Sequence, residues 1–501
     1  MTITTPYDWV AHLADTDPAR PAIHIPEGDT ISYGALDART ITLTATLAEL
    51  GVKTGDRILV QAEKSLAFIL LYLAALRMGA IFVPLNTGYA EGEVDYFISD
   101  AEPALIITSP SRAEAMTALA AGRAPVHTMG QNDDGSLLAH KPVSPPPPRP
   151  TADETRTIAF LYTSGTTGRP KGAMLSGRNL ASNAATLASS WGFSSADVLL
   201  HALPLFHAHG LFVGVNTTLA AGSSLILLPR FDADLVMEQL ASATVFMGVP
   251  TYYTRLLTVP GLTRASCAHM RLFVSGSAPL LAETHRAFEA ATGHAILERY
   301  GMTETVMNAS NPYSGARVPG TVGPPLPGIE IIITNPETGT ELPKGEIGML
   351  EVRGPNVFSG YWRNPQKTAE DLRANGFFIT GDLARIDEQG YVHIVGRGKD
   401  LIISGGYNIY PREVEAELDQ LEGVEESAVI GVPHPDFGEA VVAILVPKPG
   451  HSLNPDTLAE ALKPRLARFK HPKFYQIMSE LPRNAMGKVM KAELRKNWKP
   501  A

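Results

Sequence analysis

The 501-residue sequence predicts an α/β protein with a large N-terminal domain of α/β sheets, a small β subdomain and a small α+β C-terminal domain. Three observations predict it. Between residues 30 and 110, short strand-like runs alternate with longer helical patterns, the mark of α/β units with mainly parallel pairing. From about residue 320 the pattern changes to short β runs broken by Gly and Pro. After Arg397 roughly one hundred residues read as helix, strands and helix, a normal domain size. A chain of this length also exceeds what one hydrophobic core usually supports. We therefore expect an N-terminal domain over 1–398, including a β subdomain at about 320–396, and a C-terminal domain over 399–501.

Taken in order, "SYGALDARTITLTATLAELG" has helical spacing and ends on Gly51, and "DRILVQA" reads as a strand. The apolar run Leu66 to Leu76 stops at Arg77, well short of the ~20 residues a bilayer span needs, so it is a buried helix leading into the strand "GAIFVPLN". "SPPPPRP" (144–150) cannot be helix or central strand and reads as an extended connector. A second set of α/β units follows: "NLASNAATLASSWG" as helix, then "SSLILLP", "ATVFMGVP" and "RLFVSGSAPL" as strands. "GIEIIIT", "GEIGMLEVRG" and "GYVHIVGR" form the β subdomain. In the C-terminal segment "NIYPREVEAELDQ" and "PDTLAEALKPRLARF" are expected as helices, and "VEESAVIGVP" and "AVVAILVP" as strands.

Composition narrows the function. Hydrophobic residues make up 45% and charged residues 19%, which suits a compact globular protein. A net charge of −9 argues against nucleic-acid binding, whose phosphate contacts need a basic surface. The single cysteine, Cys267, excludes an intramolecular disulfide or a cysteine metal cluster and reads as a small apolar residue. The N-terminus lacks a basic region followed by an apolar one, so no secretory signal is expected, no membrane insertion, and a cytoplasmic location.

"LYTSGTTGRPKG" (161–172) concentrates hydroxyls, glycines and a cation behind an apolar run. It fails the Walker A pattern, because Gly165 and Gly168 are too close, Pro170 precedes Lys171, and Gly172 stands where a Ser or Thr would hold magnesium. What remains is a loop whose hydroxyls and backbone N–H groups, with Lys171, can wrap a polyphosphate. A polar turn between two strands would read the same way. Four further stretches tip the balance. "ERYGMTET" (298–305) offers Tyr300 for a purine face and Glu304 for a hard cation. "ITGDLARID" (379–387) sets Asp382 at a strand end, where a carboxylate can accept ribose hydroxyls. "GRGKDLIISGGYNIYP" (396–411) carries a cation, a turn and Gly405-Gly406, and "PRNAMGKVMK" (482–491) presents Lys488.

These motifs, in this order, resemble the adenylate-forming superfamily of acyl-CoA synthetases, non-ribosomal adenylation domains and luciferases, over nearly the whole chain. The resemblance implies a mobile C-terminal domain and assigns roles residue by residue. Thr163, Ser164, Gly165, Thr166, Thr167, Gly168 and Lys171 would hold the β- and γ-phosphates of ATP. Ser277, Ala278, Pro279 and Tyr300 would frame the adenine. Thr303 would contact the α-phosphate, while Glu304 with Thr163 would bind Mg²⁺. Asp382 and Arg397 would hold the ribose, Lys399 would mark the hinge, and Lys488 would bridge the attacking carboxylate and the α-phosphate. His207 would line the thiol channel, and Gly406 would let the pantetheine of CoA pass close to the backbone.

The acid pocket is expected from 207–216, 248–256, 275–279 and 300–308. Arg255, five residues after Pro250, is costly to bury without a partner, so a second substrate carboxylate would explain it. An exposed helix arginine is the competing reading. "HALPLFHAHGLFVG", "GVPTYYTRLL" and "ERYGMTETVMN" resemble the malonate-activating branch of the superfamily, which implies Arg255 as ligand of the distal carboxylate and Ser277, Gly301, Met302 and Met307 near the acyl group. Arg271 is a weaker candidate and reads as structural. The basic stretch "LKPRLARFKHPK" (462–473) meets either the phosphates of CoA or solvent. No carrier domain follows "GKVMK", so free CoA is expected as acceptor. The expected reaction is ligation of malonate to CoA, with methylmalonate, one methyl group larger, as the alternative acid. A short- or medium-chain monocarboxylate would share every core motif. An amino-acid adenylation domain would want an acidic residue in "FHAHGLF", which has none.

Overall fold

The computed structural model describes residues 3–132, 134–163, 170–404, 407–435, 437–484 and 487–499. The chain forms two compact units, Met1–Glu330 with Val352–Phe378, and Ile331–Glu351 with Ile379–Ala501. The β subdomain strands thus group with the C-terminal segment. Among the described residues no helix is long and apolar enough to cross a membrane.

The first unit is built on two largely parallel sheets. The six-stranded sheet runs Val126–Thr128, Leu105–Thr108, Arg57–Gln61, Ile81–Pro84, Thr157–Thr163, Lys171–Ser176. The eight-stranded sheet runs Ala309–Ser310, Leu297–Tyr300, Leu272–Ser275, Val245–Gly248, Val198–His201, Ser224–Leu227, Pro21–His24, Thr30–Ser32. Their central strands are apolar on both faces, as parallel strands covered by helices must be: Leu105–Thr108, Val245–Gly248 and Leu272–Ser275 are buried throughout. The proline connector does not divide the sheets. Thr157–Thr163 joins the first sheet by pairing in parallel with Ile81–Pro84, while Pro21–His24 pairs with Ser224–Leu227 of the second. Sheet membership follows long-range pairing, which a local reading of the chain does not contain.

Helix Leu66–Met78 is buried almost all round. The Ser65 hydroxyl accepts the Phe68 N–H at its start, and Gly79, at φ 72°, ends it in the left-handed conformation that glycine adopts without strain. The Arg77 guanidinium donates to the Pro147 carbonyl, tying the proline connector down. Cys267 is fully buried in the core beneath the second sheet with Phe246, Phe273 and Phe288, as expected of a small apolar residue. Arg271 is structural: its Nε and Nη2 meet Asp197 at 2.5 and 2.9 Å, and its guanidinium lies between the Phe193 and Tyr313 rings.

The second unit carries most of the four-stranded sheet Glu330–Thr334, Gly348–Arg353, Phe378–Ile386, Val392–Arg397. A second sheet pairs Val424–His434 with Gly438–Pro447 over ten positions. Its alternating residues fill two cores, Val429, Val441 and Leu418 on one face, Ile430, Val442 and Leu494 on the other. Three local expectations are corrected. The helix read over 408–420 spans Pro411–Leu418, because Pro411 starts it while Tyr407–Ile409 pairs as a strand. The helix read over 455–469 ends at Leu462, since Pro464 cannot continue it. Asp382 lies within a strand rather than at its end, directly opposite Arg397.

The buried Arg271–Asp197 pair gives a stability test. Asp197→Ala leaves the guanidinium without its carboxylate and is expected to cost about 3 kcal/mol or more, read as a lower denaturation midpoint.

Candidate active site

Both sheets of the first unit place polar residues just beyond the carboxyl ends of their parallel strands, the usual ligand face of such sheets. Thr163 and Lys171 pair directly across the two antiparallel strands at the edge of the first sheet. Ser164, Gly165, Thr166, Thr167 and Gly168 lie outside the described residues. The Lys171 ammonium sits 4.6 Å from the Tyr361 ring centroid. The Tyr361 hydroxyl donates to Glu304 Oε1 at 3.2 Å, and the Glu304 carbonyl accepts the Phe358 N–H. Burial and the nearby Glu304 carboxylate push the Tyr361 hydroxyl far above its usual range, so it remains a donor. A cation, a phenol and a carboxylate that is only 6% exposed are thus brought into one row.

Tyr300 ends strand Leu297–Tyr300, its hydroxyl 4.0 Å from the Met302 sulfur. The turn that follows is tight. A Cβ on Gly301 would lie 1.8 Å from the Val306 carbonyl, and Val306 itself holds φ 53°, which is strained for a β-branched residue. Thr303 is half-buried in this turn, and Met307 is buried behind it. Across from it, Ser277 holds φ 70°, Ala278 is half-buried and Pro279 exposed. Two residues with positive φ that are not glycine therefore flank the same region, the kind of strain that surrounding structure must impose.

The deepest feature was not singled out in the sequence. Arg299 is 4% exposed, and among the described residues no acceptor reaches its Nε or Nη2. Burial pushes its guanidinium down to about 9, against the pull of Tyr253 and Glu298. It fits only because residue 276 has no side chain: a Cβ there would stand 2.3 Å from the guanidinium carbon. His209 is fully buried beside it, with Nδ1 3.2 Å from the Ser277 hydroxyl and Nε2 without a hydrogen-bond partner among the described residues. Burial, then the nearby Arg299, His207 and His201, hold it neutral. The sequence signal is a pair of charges, Glu298 and Arg299, inside the otherwise strand-like run "ILERY", just before the stretch expected to line the pocket. Arg255, by contrast, is exposed on helix Pro250–Leu256. His207 is half-buried, its Nδ1 accepting the His209 N–H at 3.3 Å.

In the second unit Arg397 Nε meets Asp382 Oδ1 at 2.8 Å across a strand pair, and Asp382 is buried. Lys488 belongs to the same unit and keeps contact with solvent, yet desolvation, then Arg397 and Lys399 against Asp382 and Asp400, pushes its ammonium down to about 8. Its N–H donates to the Asn484 side chain, and Arg495 meets Asp400 just after Lys399 at 2.8 Å. Gly406 lies outside the described residues. In the basic stretch 462–473, Lys463, Arg465 and Lys470 are each paired with a glutamate.

Residues 10–362 match the model of the AMP-binding enzyme family, and 413–488 that of the AMP-binding enzyme C-terminal domain. The chain belongs to the AMP-binding enzyme family. A crystal structure of ATP-bound MatB from Rhodopseudomonas palustris superposes on this AMP-binding enzyme with a TM-score of 0.94 at 54% identity, covering 98% of each chain. A mitochondrial malonate–CoA ligase of Mus musculus is 36% identical over 94% of this chain and 87% of its own length. A feruloyl-CoA synthase of Amycolatopsis sp is also 36% identical, over 98% of both.

Gly301→Ala tests the tight turn of this AMP-binding enzyme. With its Cβ driven against a backbone carbonyl, the variant is expected to bind ATP at least tenfold more weakly by direct titration and to unfold at lower temperature.

Proposed function

We propose that this AMP-forming acyl-CoA synthetase joins malonate to CoA through malonyl-AMP, releasing AMP and pyrophosphate. The observation that carries the substrate is Arg299, a buried guanidinium with two nitrogens that no acceptor among the described residues satisfies. A monocarboxylate reacting at the phosphate would leave that charge uncompensated in a low-dielectric interior, at a cost of several kcal/mol. A dicarboxylate has one carboxylate to react and another to pair with the guanidinium bidentately. Arg299 therefore takes the distal-carboxylate role that the resemblance gave to Arg255, with Ser277, Gly301, Met302 and Met307 around the short acyl group. The mitochondrial malonate–CoA ligase relative supports the same substrate. The feruloyl-CoA synthase relative keeps aromatic acids among the acids to be tested.

The remaining roles follow from the chemistry. Attack of a carboxylate on the α-phosphate of ATP brings anions together, and charge grows on the phosphoryl oxygens and on departing pyrophosphate. The loop 163–168 and Lys171 bind the β- and γ-phosphates, and Thr303 donates to the α-phosphate. Glu304 is a buried hard-oxygen ligand whose second function, accepting from Tyr361, orients it, so it fits Mg²⁺, which takes one or two carboxylates and completes its shell with phosphates and water. Bound there, Mg²⁺ neutralises phosphate charge. Tyr300, Ala278 and Pro279 frame the adenine, and the Asp382–Arg397 pair holds the ribose hydroxyls. Lys488 places an ammonium between the attacking carboxylate and the α-phosphate, needed in the first half-reaction alone. Withdrawing it about a boundary at 398/399, beside Lys399, leaves the acyl-adenylate open to the thiol of CoA, which would enter past His207 and Gly406.

Two measurements test this. Thioester formation is compared across malonate, methylmalonate, succinate, acetate, propionate, butyrate and ferulate. Arg299→Leu is expected to lower kcat/KM for malonate about a hundredfold or more and for acetate much less, while Arg255→Ala stays within about threefold of wild type. Equal losses for malonate and acetate would remove the dicarboxylate reading. Lys488 must carry its proton to act, and its folded value is lowered, so ATP–pyrophosphate exchange should be highest below pH 8 and fall as pH rises through about 8. That basic limb should be missing from the residual activity of Lys488→Ala.

A further inference from the structure

Lys64 is buried three residues after the first-sheet strand Arg57–Gln61, and none of the roles above uses it. Its ammonium has no carboxylate beside it among the described residues; it reaches instead to His201, at the end of strand Val198–His201 in the second sheet. Lys64 Nζ stands 2.8 Å from both His201 Nδ1 and the His201 carbonyl. On the far side of the ring, His201 Nε2 lies 2.8 Å from the Gly210 carbonyl. A carbonyl only accepts, so Nε2 carries the proton and Nδ1 accepts from Lys64. The neighbouring Lys64 charge, added to burial, holds the imidazole neutral, pushed down to about 3.

The ring is seated in an unusual helix. Residues His209–Val215 form a turn of π-helix, a conformation concentrated at functional sites. Glycines permit the fit. A Cβ on Gly214 would come within 2.9 Å of the His201 ring, and one on Gly210 within 2.1 Å of the Pro204 carbonyl. The residue next to Gly210 is His209, which touches Ser277 and neighbours Arg299. We propose that Lys64 and His201 are positioning residues for the acid: the hydrogen-bonded chain from Lys64 through His201 to Gly210 fixes the π-helical turn, and so fixes His209 and Ser277 against the acyl group. The inference rests on placing the acid beside Ser277 and Arg299.

Lys64→Met keeps the length and apolar stem of the side chain and removes the donor. The expected result is a KM for malonate raised at least tenfold in pyrophosphate exchange, with KM for ATP within twofold and a melting temperature equal to wild type or higher, because an unpaired buried charge is gone. His201→Gln should raise the malonate KM to a similar degree, and the double variant should show little further loss, since both act through one chain. An unchanged malonate KM in Lys64→Met, a parallel rise in the ATP KM, or additive losses in the double variant would overturn the proposal. If Lys64→Met does not fold, His201→Gln alone decides by the same split between the two KM values. A misplaced acid is told apart by Arg299→Leu: it would leave the malonate KM unchanged, whereas failure of the relay alone leaves that effect intact.

Discussion

A buried guanidinium with two nitrogens that no acceptor among the described residues satisfies is the constraint on which the rest of the site depends. Arg299 can be there because Gly276 leaves room for it and because the strand that carries it is pinned in the second sheet between Leu272–Ser275 and Ala309–Ser310. Burial, and then the charge of Arg299, keep His209 neutral. That charge also gives a reason for the strained turns at Ser277 and Val306 on either side, since positive φ at such residues persists only where neighbouring structure demands it. Left empty, such a site is destabilising; filled by a carboxylate, it is satisfied. In the proposed function, stability given up in the free enzyme becomes discrimination between acids.

The same arrangement accounts for the concentration of basic groups in a chain of net charge −9. Lys64, His201, His209 and Arg299 are all buried in the first unit. Hydrogen bonding answers for the first two, because His201 accepts from Lys64 and passes a donor on to Gly210. It does not answer for Arg299. The second unit solves a different problem: Asp382 and Arg397 neutralise one another across a strand pair, while Lys488 is left close to its own titration point. In the proposed mechanism Lys488 acts in only one of two steps, so it need not be strongly basic; it must be charged at working pH and removable.

Much of this was legible in the sequence, and the exceptions have physical causes. The strands that carry Thr163 and Lys171, the strands leading to Ser277 and Tyr300, the buried helix Leu66–Met78 and the stretches around Asp382 and Lys488 are local patterns, and the chain carries them openly. The membership of Thr157–Thr163 and Pro21–His24 in their sheets is fixed by pairing over long separations. Pro464 was overlooked inside an otherwise periodic helix. The exposure of Arg255 is not legible for a related reason: a helix position after a proline looks like a pocket wall, but only the fold decides which face of Pro250–Leu256 meets solvent. The adjacent charges Glu298 and Arg299 in a short buried strand are the better clue, and the π-helical turn after His207 has no recognisable period at all.

The most direct test of the central claim is equilibrium binding of stable acyl-adenylate analogues, because it separates recognition of the acid from every chemical step. The account predicts that a malonyl-adenylate analogue binds at least a hundredfold more tightly than the acetyl analogue, and that Arg299→Leu removes the difference. Equal affinities in the wild-type enzyme would contradict it, and would make Arg299 a structural charge rather than the ligand of a second carboxylate.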